Sequence, residues 1–536
     1  MNQNTPTPGQ ITVREATIEL MRQLRMTTIF GNPGSTELSF LNNLPSDIRY
    51  ILALQEASVV AMADGFAQAT GHAAFVNVHS VAGLGNALGA IYTSFKNQTP
   101  LVITAGNQVR SMLPFDPFLG TTQPTEFPRP YVKWACQPAR AEDVPIALAQ
   151  GYAMAMQHPR GPVFLSVPSD DWAAITTPVI PRKLSWEFGP DQALLSELAA
   201  AIDASQRPCF VYGPSIDREG AFELGVALAE RANAPVWDAP TSSRGNFPET
   251  HRLFAGFLPA IPDKLSENLQ PYDLIVVIGA PVFTFHTPGE CAVLTSDVPI
   301  YQITDDPSST ALAPKTTSII GTMKPSVTRL IDLIKPHARA RQPEARPPAP
   351  PVNAGDPMGI EFIMHTLAQV IPEDAVVVEE APSHRPAMQH YLPIRQSGSF
   401  YTMASGGLGY GLPAGVGVAL GQSRRVVCLM GDGSMMYSVQ ALWTAAQHRL
   451  PITILVMRNG DYGAMKSFSE MLGSKKPPPG IDLPGLDFQA IATGLGVKSM
   501  RVDRAVALSE TLSNAFAEEG PILLEITVDP NSGSAY

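Results

Sequence analysis

The feature that most constrains this chain is an alternation repeated along its whole length. Short apolar runs rich in β-branched residues are separated by helical stretches built from small residues. The first third carries "TTIF", "YILAL", "AAFVNV", "LVITA" and "PVFLSV"; the middle carries "CFVYG", "APVWDA", "LIVVIGA" and "IYQIT"; the last third carries "AVVVEE", "RRVVCLM", "ITILVM" and "PILLEITV". A strand with one wet face alternates polar and apolar residues, whereas a strand covered on both faces reads as a continuous apolar run. The pattern therefore predicts an α/β chain of doubly wound parallel sheets, each with helices on both faces. A chain of 536 residues has room for about three or four such domains.

Two shifts in composition place the boundaries. The stretch "KPHARARQPEARPPAPP" (335–351) holds too much Pro, Ala and Arg to form a core and reads as an extended, exposed linker. A weaker break is "TTPVIPRKLSWEFGPD" (176–191). The expected organisation is an N-terminal domain over 1–180, a middle domain over 190–335, a Pro-rich linker over 336–355 and a C-terminal domain over 356–536. The first and last domains read as distant copies. Each opens with a helix: Thr12 and Glu15 stand at capping-box spacing in "TVREATIELMRQL", and Asp356 and Pro357 stand at the cap and first turn of "DPMGIEFIMHTLAQV". Later, "GLGNALGA…LVITAG" is echoed by "GLGYGLPA…VVCLMGDG".

Charge and cysteine usage narrow the partners. With 37 basic and 48 acidic residues the formal charge is −11, and no basic run interleaves with aromatics. Neither nucleic acid nor an anionic membrane surface is an expected partner. No apolar run reaches the 18 or so residues of a membrane span. The four cysteines, Cys136, Cys209, Cys291 and Cys428, are far apart with no CxxC, and the first ten residues are polar, which together fit a cytoplasmic protein.

The chemistry is concentrated in "LMGDGSMMYSVQALWTAAQHRLPITILVMRNGDYGA" (429–464). Asp432 follows one apolar strand and Asn459 follows the next, with a crossover helix between them. In a parallel sheet ligands gather beyond the carboxyl ends of strands, so this unit brings both side-chain oxygens to one edge. A backbone carbonyl at Asp461 would make a third hard oxygen ligand, a set that suits Mg²⁺ with water and phosphate oxygens completing its shell. Gly431 and Gly433 allow close approach of a phosphate, and a helix starting after Ser434 would offer free N–H groups. Taken alone, GDG is more simply read as a helix cap and Asn459 as a turn residue; the 27-residue interval between strand ends favours the metal reading.

That pattern resembles the diphosphate–Mg²⁺ motif of the thiamine-diphosphate enzymes. The resemblance implies a glutamate at a strand–helix junction of the other α/β domain, and "YILALQEASVVAMADGFAQATG" supplies Glu56 there. Its implied role is to share a proton with the aminopyrimidine of the cofactor. The resemblance extends over essentially the whole chain and is nearest to the benzoylformate decarboxylase family, through "FGNPGSTELSFL", "RYILALQEA", "VNVHSVAGLGNA", "PRPYVKWACQPA", "GPVFLSVPSDDW", "VIGAPVFTFH" and "ALWTAAQ". It implies non-oxidative decarboxylation of a 2-keto acid to an aldehyde and CO2, through a carbanion and enamine of thiamine diphosphate.

Residue by residue, the resemblance implies that Ser35 binds the substrate carboxylate and that His79 and His286 transfer protons. It implies that Leu408 lies under the bent cofactor, that the Gly406 carbonyl accepts the aminopyrimidine amine, and that Ser383, Gly433, Ser434, Tyr462 and Gly463 face the diphosphate. A dimer of dimers is implied, with each site shared between two subunits. The substrate pocket would include Ser35, Phe118, Leu119, Thr402 and Phe468. Thr402 stands where an aromatic residue is expected, Pro382 where a Thr is expected, and Lys466 and Ser467 lie on the expected rim. These departures predict a different or larger 2-keto acid. A carboligase of acyloin or acetolactate type is the alternative activity, and a non-catalytic homologue a further one. The middle domain lacks GxGxxG after "VVIGAP", so it is read as a scaffold for His286 rather than a dinucleotide site.

Overall fold

A computed structural model describes residues 10–337 and 346–533. Residues 1–9, residues 534–536 and the stretch 338–345 of the expected linker lie outside the described residues. Three six-stranded sheets are present, parallel throughout. The N-terminal sheet uses, in chain order, Thr28–Gly31, Arg49–Leu52, Ala74–Val78, Leu101–Asn107, Ala135–Cys136 and Val163–Pro168, and lays them side by side in the order 2-1-3-4-6-5. The C-terminal sheet uses Val376–Glu380, Phe400–Tyr401, Val426–Gly431, Ile452–Arg458, Lys498–Val502 and Ile522–Thr527, also in the order 2-1-3-4-6-5. The echo between the two ends of the sequence is thus a shared topology. The middle sheet, with Pro208–Tyr212, Val236–Asp238, Phe254–Phe257, Leu274–Ile278, Ile300–Thr304 and Thr316–Ile320, runs 3-2-1-4-5-6, the doubly wound order of dinucleotide-binding folds.

The apolar runs predict the central strands, which are buried along their length. Phe254–Phe257, Thr316–Ile320, Phe400–Tyr401 and Lys498–Val502 carry no such signal, and all four lie at sheet edges. An edge strand is wet on one side, so it need not be continuously apolar; Lys498–Val502 buries only Val502. The capping box at Thr12 forms as expected, with Glu15 N–H donating to Thr12 Oγ1 at 3.1 Å and Thr12 N–H to Glu15 Oε2 at 2.9 Å. The second helix differs: it runs Ile360–Val370 and is capped by Gly359, not by Asp356. Residues 356–357 form a bend instead, and Met358 a bridge. Met358 pairs with Val528, and the Asp356 carboxylate accepts the Ala505 amide at 2.7 Å. The expected linker is not wholly exposed either, since Arg346 lies over the rings of Phe254 and Phe257. No helix among the described residues is long and apolar enough to cross a membrane.

The N- and C-terminal domains meet through two helices, Glu56–Thr70 and Gly411–Gly421, which share one apolar core. Their backbones cross so closely that a methyl group on Gly65 would lie 2.1 Å from the Ala414 carbonyl oxygen, and one on Gly417 would lie 1.9 Å from that of Met62. Arg244 of the middle domain closes the junction. Buried, it donates to Asp217 at 2.6 Å and to Gln68 Oε1 at 3.1 Å, and it stacks on Tyr401. Overpacking a tight core costs about 1–3 kcal/mol, whereas Ala in place of Gly gains about 1 kcal/mol of helix propensity. Because the obstacle at Gly417 is backbone, the clash wins: Gly417→Ala is expected to lower the melting temperature, and an equal or higher value would show that the helices part freely.

Candidate active site

At the carboxyl edge of the C-terminal sheet the strand Val426–Gly431 delivers Asp432, and the neighbouring Ile452–Arg458 delivers Asn459. Asp432 is 3% exposed; Oδ1 accepts the Gly433 amide at 2.8 Å and Oδ2 the Gly460 amide at 2.7 Å. The helix begins at Asp432 itself and spans Asp432–Tyr437, so the expected helix start after Ser434 is displaced upstream, and Gly433 and Ser434 are buried in its first turn. Asn459 donates its amide nitrogen to Asp461 Oδ1 at 2.9 Å, which turns its oxygen the other way. Asp461 pairs antiparallel with Asp482, and the flanking bonds run from Tyr462 N–H to Ile481 and from Leu483 N–H to Gly460. Alternation along an antiparallel pair then points the Asp461 carbonyl away from residues 481–483. Burial raises the carboxyls of both Asp432 and Asp461, and each is raised further by a nearby acid.

This donor set fits a hard divalent cation and a diphosphate. Beside Gly463 the space a methyl group would take is bounded by Asn459 Nδ2 at 2.9 Å, Ser383 Oγ at 3.0 Å and Asp461 Oδ1 at 3.3 Å, a polar cradle that only glycine leaves open. The Tyr462 ring lies against Gly433. The loop bearing Gly406 and Leu408 reaches the same cluster, since Gly409 packs against Tyr437.

The second group belongs to the N-terminal sheet. Glu56 is the first residue of its helix and is 7% exposed. Its partners are side-chain amides: Asn32 donates to Oε1 and Asn86 to Oε2, each at 3.0 Å. Gly83 lies between Glu56 and His79; a methyl group there would be 3.3 Å from Glu56 Oε1 and 3.4 Å from His79 Cβ. His79 precedes the helix Ser80–Lys96 and packs directly on Gly34, so Ser35 stands exposed beside it.

Glu37 was not legible as a site residue. It is 1% exposed and 2.8 Å from His79 Nδ1, and it also accepts the amides of Gly34 at 3.0 Å and Gly106 at 2.8 Å. A carboxylate only accepts, so Nδ1 carries the proton and Nε2 is the ring nitrogen left to exchange one. The single signal was an acid two residues after Ser35, which any turn can show.

His286 is exposed on its middle-domain loop, and its ring stacks on Phe468 with centroids 5.3 Å apart. In the N-terminal domain Phe118 is 85% exposed and Leu119 half-buried, on a loop that Gln108 holds through the Phe118 carbonyl at 2.8 Å. Thr402 corrects the sequence reading. It has no exposed surface, and its hydroxyl donates to the Glu379 carbonyl at 2.8 Å, so it presents nothing to a substrate.

Among the described residues no hydrogen bond or ion pair joins Glu56, His79 or Ser35 to Asp432, Asn459 or Asp461. A helix runs from the second group to the loop that carries Gly406. The Ser80–Lys96 helix starts at His79, and near its other end Thr93 bonds Ser405 at 2.8 Å while Asn97 accepts the Ala404 amide at 2.9 Å. Fourteen residues of helix separate His79 from Thr93 by about 21 Å.

Comparison with known proteins agrees with this geometry. The chain matches the N-terminal TPP binding domain of thiamine pyrophosphate enzymes over residues 11–126, their central domain over 195–330 and their C-terminal TPP binding domain over 381–526. It is 42% identical to the benzoylformate decarboxylase of Pseudomonas aeruginosa over 97% of this chain and 100% of that protein. The crystal structure of benzoylformate decarboxylase from Polynucleobacter necessarius superposes with a TM-score of 0.94 at 42% identity, covering 98% of this chain and 99% of that one. The thiamine diphosphate-dependent 4-hydroxybenzoylformate decarboxylase of Rhodococcus jostii RHA1 gives 0.93 at 38% identity, covering 97% and 99%. With all three domains matched and 42% identity over 97% of its length, the chain belongs to the thiamine pyrophosphate enzymes, in the group that contains the benzoylformate decarboxylases.

Proposed function

We propose that this chain is a cytoplasmic thiamine-diphosphate-dependent carboxy-lyase that converts an aromatic 2-keto acid, with benzoylformate as the first choice, to its aldehyde and CO2. The observation that carries the reading is the pairing of two residue sets. One is an oxygen-rich cradle at Asp432, Asn459 and Gly463; the other is a Glu56–His79–Ser35 group in the second binding domain. Thr402 was the main reason to expect a different acid, and its burial against Glu379 removes that reason.

Each residue then has a task. Asp432, the Asn459 oxygen and the Asp461 carbonyl would hold Mg²⁺, and Ser383, Gly433, Ser434, Tyr462 and Gly463 would face the diphosphate. Glu56 would hold a proton at the aminopyrimidine nitrogen, the Gly406 carbonyl would accept its amine, and Leu408 would support the ring system from below. When bound, thiamine diphosphate supplies a carbon nucleophile for the keto carbon and an electron sink for the departing carboxylate. Ser35 would bind the substrate carboxylate through its exposed hydroxyl. His79, through Nε2, and His286 would be the two groups that exchange protons with the reacting centre. Phe118, Leu119 and Phe468 offer an apolar wall to an aromatic ring.

The helix that separates His79 from the Gly406 loop supports a site shared between two copies of the chain, in a dimer or a dimer of dimers. A small substrate and one cofactor cannot span about 21 Å, so the Glu56–His79 group of one chain would complete the Asp432 group of another.

Purified protein supplied with Mg²⁺ and thiamine diphosphate is expected to release benzaldehyde from benzoylformate, and Glu56→Ala to abolish that release. Cofactor binding without turnover of any aromatic keto acid, or acyloin products alone, would overturn the decarboxylase reading. Glu56→Ala and Asp432→Ala are each expected to be inactive, whereas random reassociation of the two should restore about one quarter of wild-type activity, because half the dimers are mixed and each holds one intact site. No recovery from verified mixed dimers would place both groups in one chain. Glu37→Gln should lower kcat about 10²-fold, within the range of a misdirected proton-transfer group, while leaving the cofactor affinity unchanged; an unaltered kcat would remove Glu37 from any role in orienting His79.

A further inference from the structure

Glu380 ends the strand Val376–Glu380 and has no exposed surface. Among the described residues no Lys or Arg pairs with it, although its neighbour Glu379 has Arg385 at 3.7 Å. Its partners are backbone amides of the loop that follows Leu408. Oε1 accepts Gly409 N–H at 2.6 Å, and Oε2 accepts Gly411 N–H. Burial pushes the carboxyl up to about 8 against the pull of those two amides. A buried acid kept without a cation is costly unless donors are aimed at it, and here the donors are supplied by one short loop.

That loop shapes itself little, with one internal bond from Gly407 N–H to Ser405 Oγ at 3.0 Å. Gly406 and Gly409 lie at φ +72° and +100°, in the left-handed region, and residues 402–410 form no helix and, beyond Tyr401, no strand. Its form is imposed from outside at two points. Thr93 and Asn97 of the N-terminal domain hold Ser405 and Ala404 at one end. Glu380 holds Gly409 and Gly411 at the other, one residue beyond Leu408. The two residues read above as the cofactor's supports, Gly406 and Leu408, lie between the anchors.

We propose that Glu380 is a positioning residue for the cofactor: its carboxylate grips both amides and sets the height of the 406–410 loop before the cofactor arrives. This inference rests on the cofactor reading above, and it extends that reading to a residue that touches neither cofactor nor substrate. Ionised, the group accepts equally at both oxygens; protonated, as a carboxyl pushed up to about 8 is at neutral pH, it accepts fully only at its carbonyl oxygen, so both readouts below are taken above pH 8. A carboxamide of the same shape turns an NH2 group toward one of the two N–H groups and releases that side of the loop.

The test uses the full-length protein and two readouts. In Glu380→Gln the dissociation constant for thiamine diphosphate, titrated in the presence of Mg²⁺, is expected to rise at least tenfold, while the substrate KM at saturating cofactor stays within twofold of wild type. A folded variant whose cofactor affinity is unchanged within twofold overturns the proposal. Glu380→Asp, which keeps the charge but shortens the reach, is expected to show the same split. Independently of any variant, hydrogen exchange on the cofactor-free wild-type protein should find the Gly409 and Gly411 amides protected; exchange at the rate of an open loop also overturns the proposal. Neither readout measures aldehyde, so failure of the decarboxylase reading would appear elsewhere.

Discussion

The structure depends on the crossing of two helices at Gly65 and Gly417. Each glycine admits a carbonyl oxygen of the opposing helix to within about 2 Å of where a side chain would begin. No other residue allows that approach, and the approach fixes the N-terminal domain against the C-terminal one. Around the crossing the core is continuous, from Val59 and Met62 on one side to Val416 and Val418 on the other. Arg244 then ties the middle domain to both, with one guanidinium shared among Asp217, Gln68 and the face of Tyr401. Burying that arginine is tolerable because it is paired and hydrogen-bonded.

The crossing also determines where the chemistry can be. Both helices of the N-terminal domain that begin at a site residue, Glu56 in one case and His79 in the other, run toward the same chain's cofactor loop and touch it near their far ends. Asp64 accepts Tyr410 OH at 3.0 Å, and Thr93 bonds Ser405. The helices act as spacers. The contact between the two binding domains of one chain is therefore what sets the Glu56–His79 group and the Asp432 group in fixed places relative to each other.

The parts legible in the sequence were those with a period or a fixed interval. Continuous apolar runs marked the central strands, because a strand buried on both faces has no polar position. The interval from Asp432 to Asn459 marked a strand–helix–strand unit, and the structure brings both to one sheet edge. What stayed hidden had no such signature. The edge strand Lys498–Val502 is mostly wet and reads as loop. The Ile360–Val370 helix starts at Gly359 because Met358 is drawn into a bridge with Val528, a contact 170 residues distant that no local cap rule contains. Glu37, Asn32 and Asn86 act on His79 and Glu56 from other elements. Thr402 was read as a pocket residue because position along the chain was the only guide, whereas its hydroxyl is used by Glu379.

The distribution of charge completes the argument. Two buried acids at the domain seams are matched by arginines, Asp217 by Arg244 and Asp305 by Arg218 at 3.9 Å, whereas Asp64 is held by Gln68, Asn97 and Tyr410. In the candidate site the acids are not matched by arginines. Glu56 is held by two carboxamides, Glu37 by amides and a histidine, Glu380 by two loop amides, and Asp432 by two backbone N–H groups. Such donors orient a carboxylate and lower the cost of burying it without cancelling its charge. Lys466 reaches Asp461 at 3.7 Å, so the negative field is partly offset there; the rest acts in a low-dielectric setting, where it is felt strongly by a cation. Neutral donors thus place these carboxylates while leaving most of their charge available at the carboxyl edges of the two sheets.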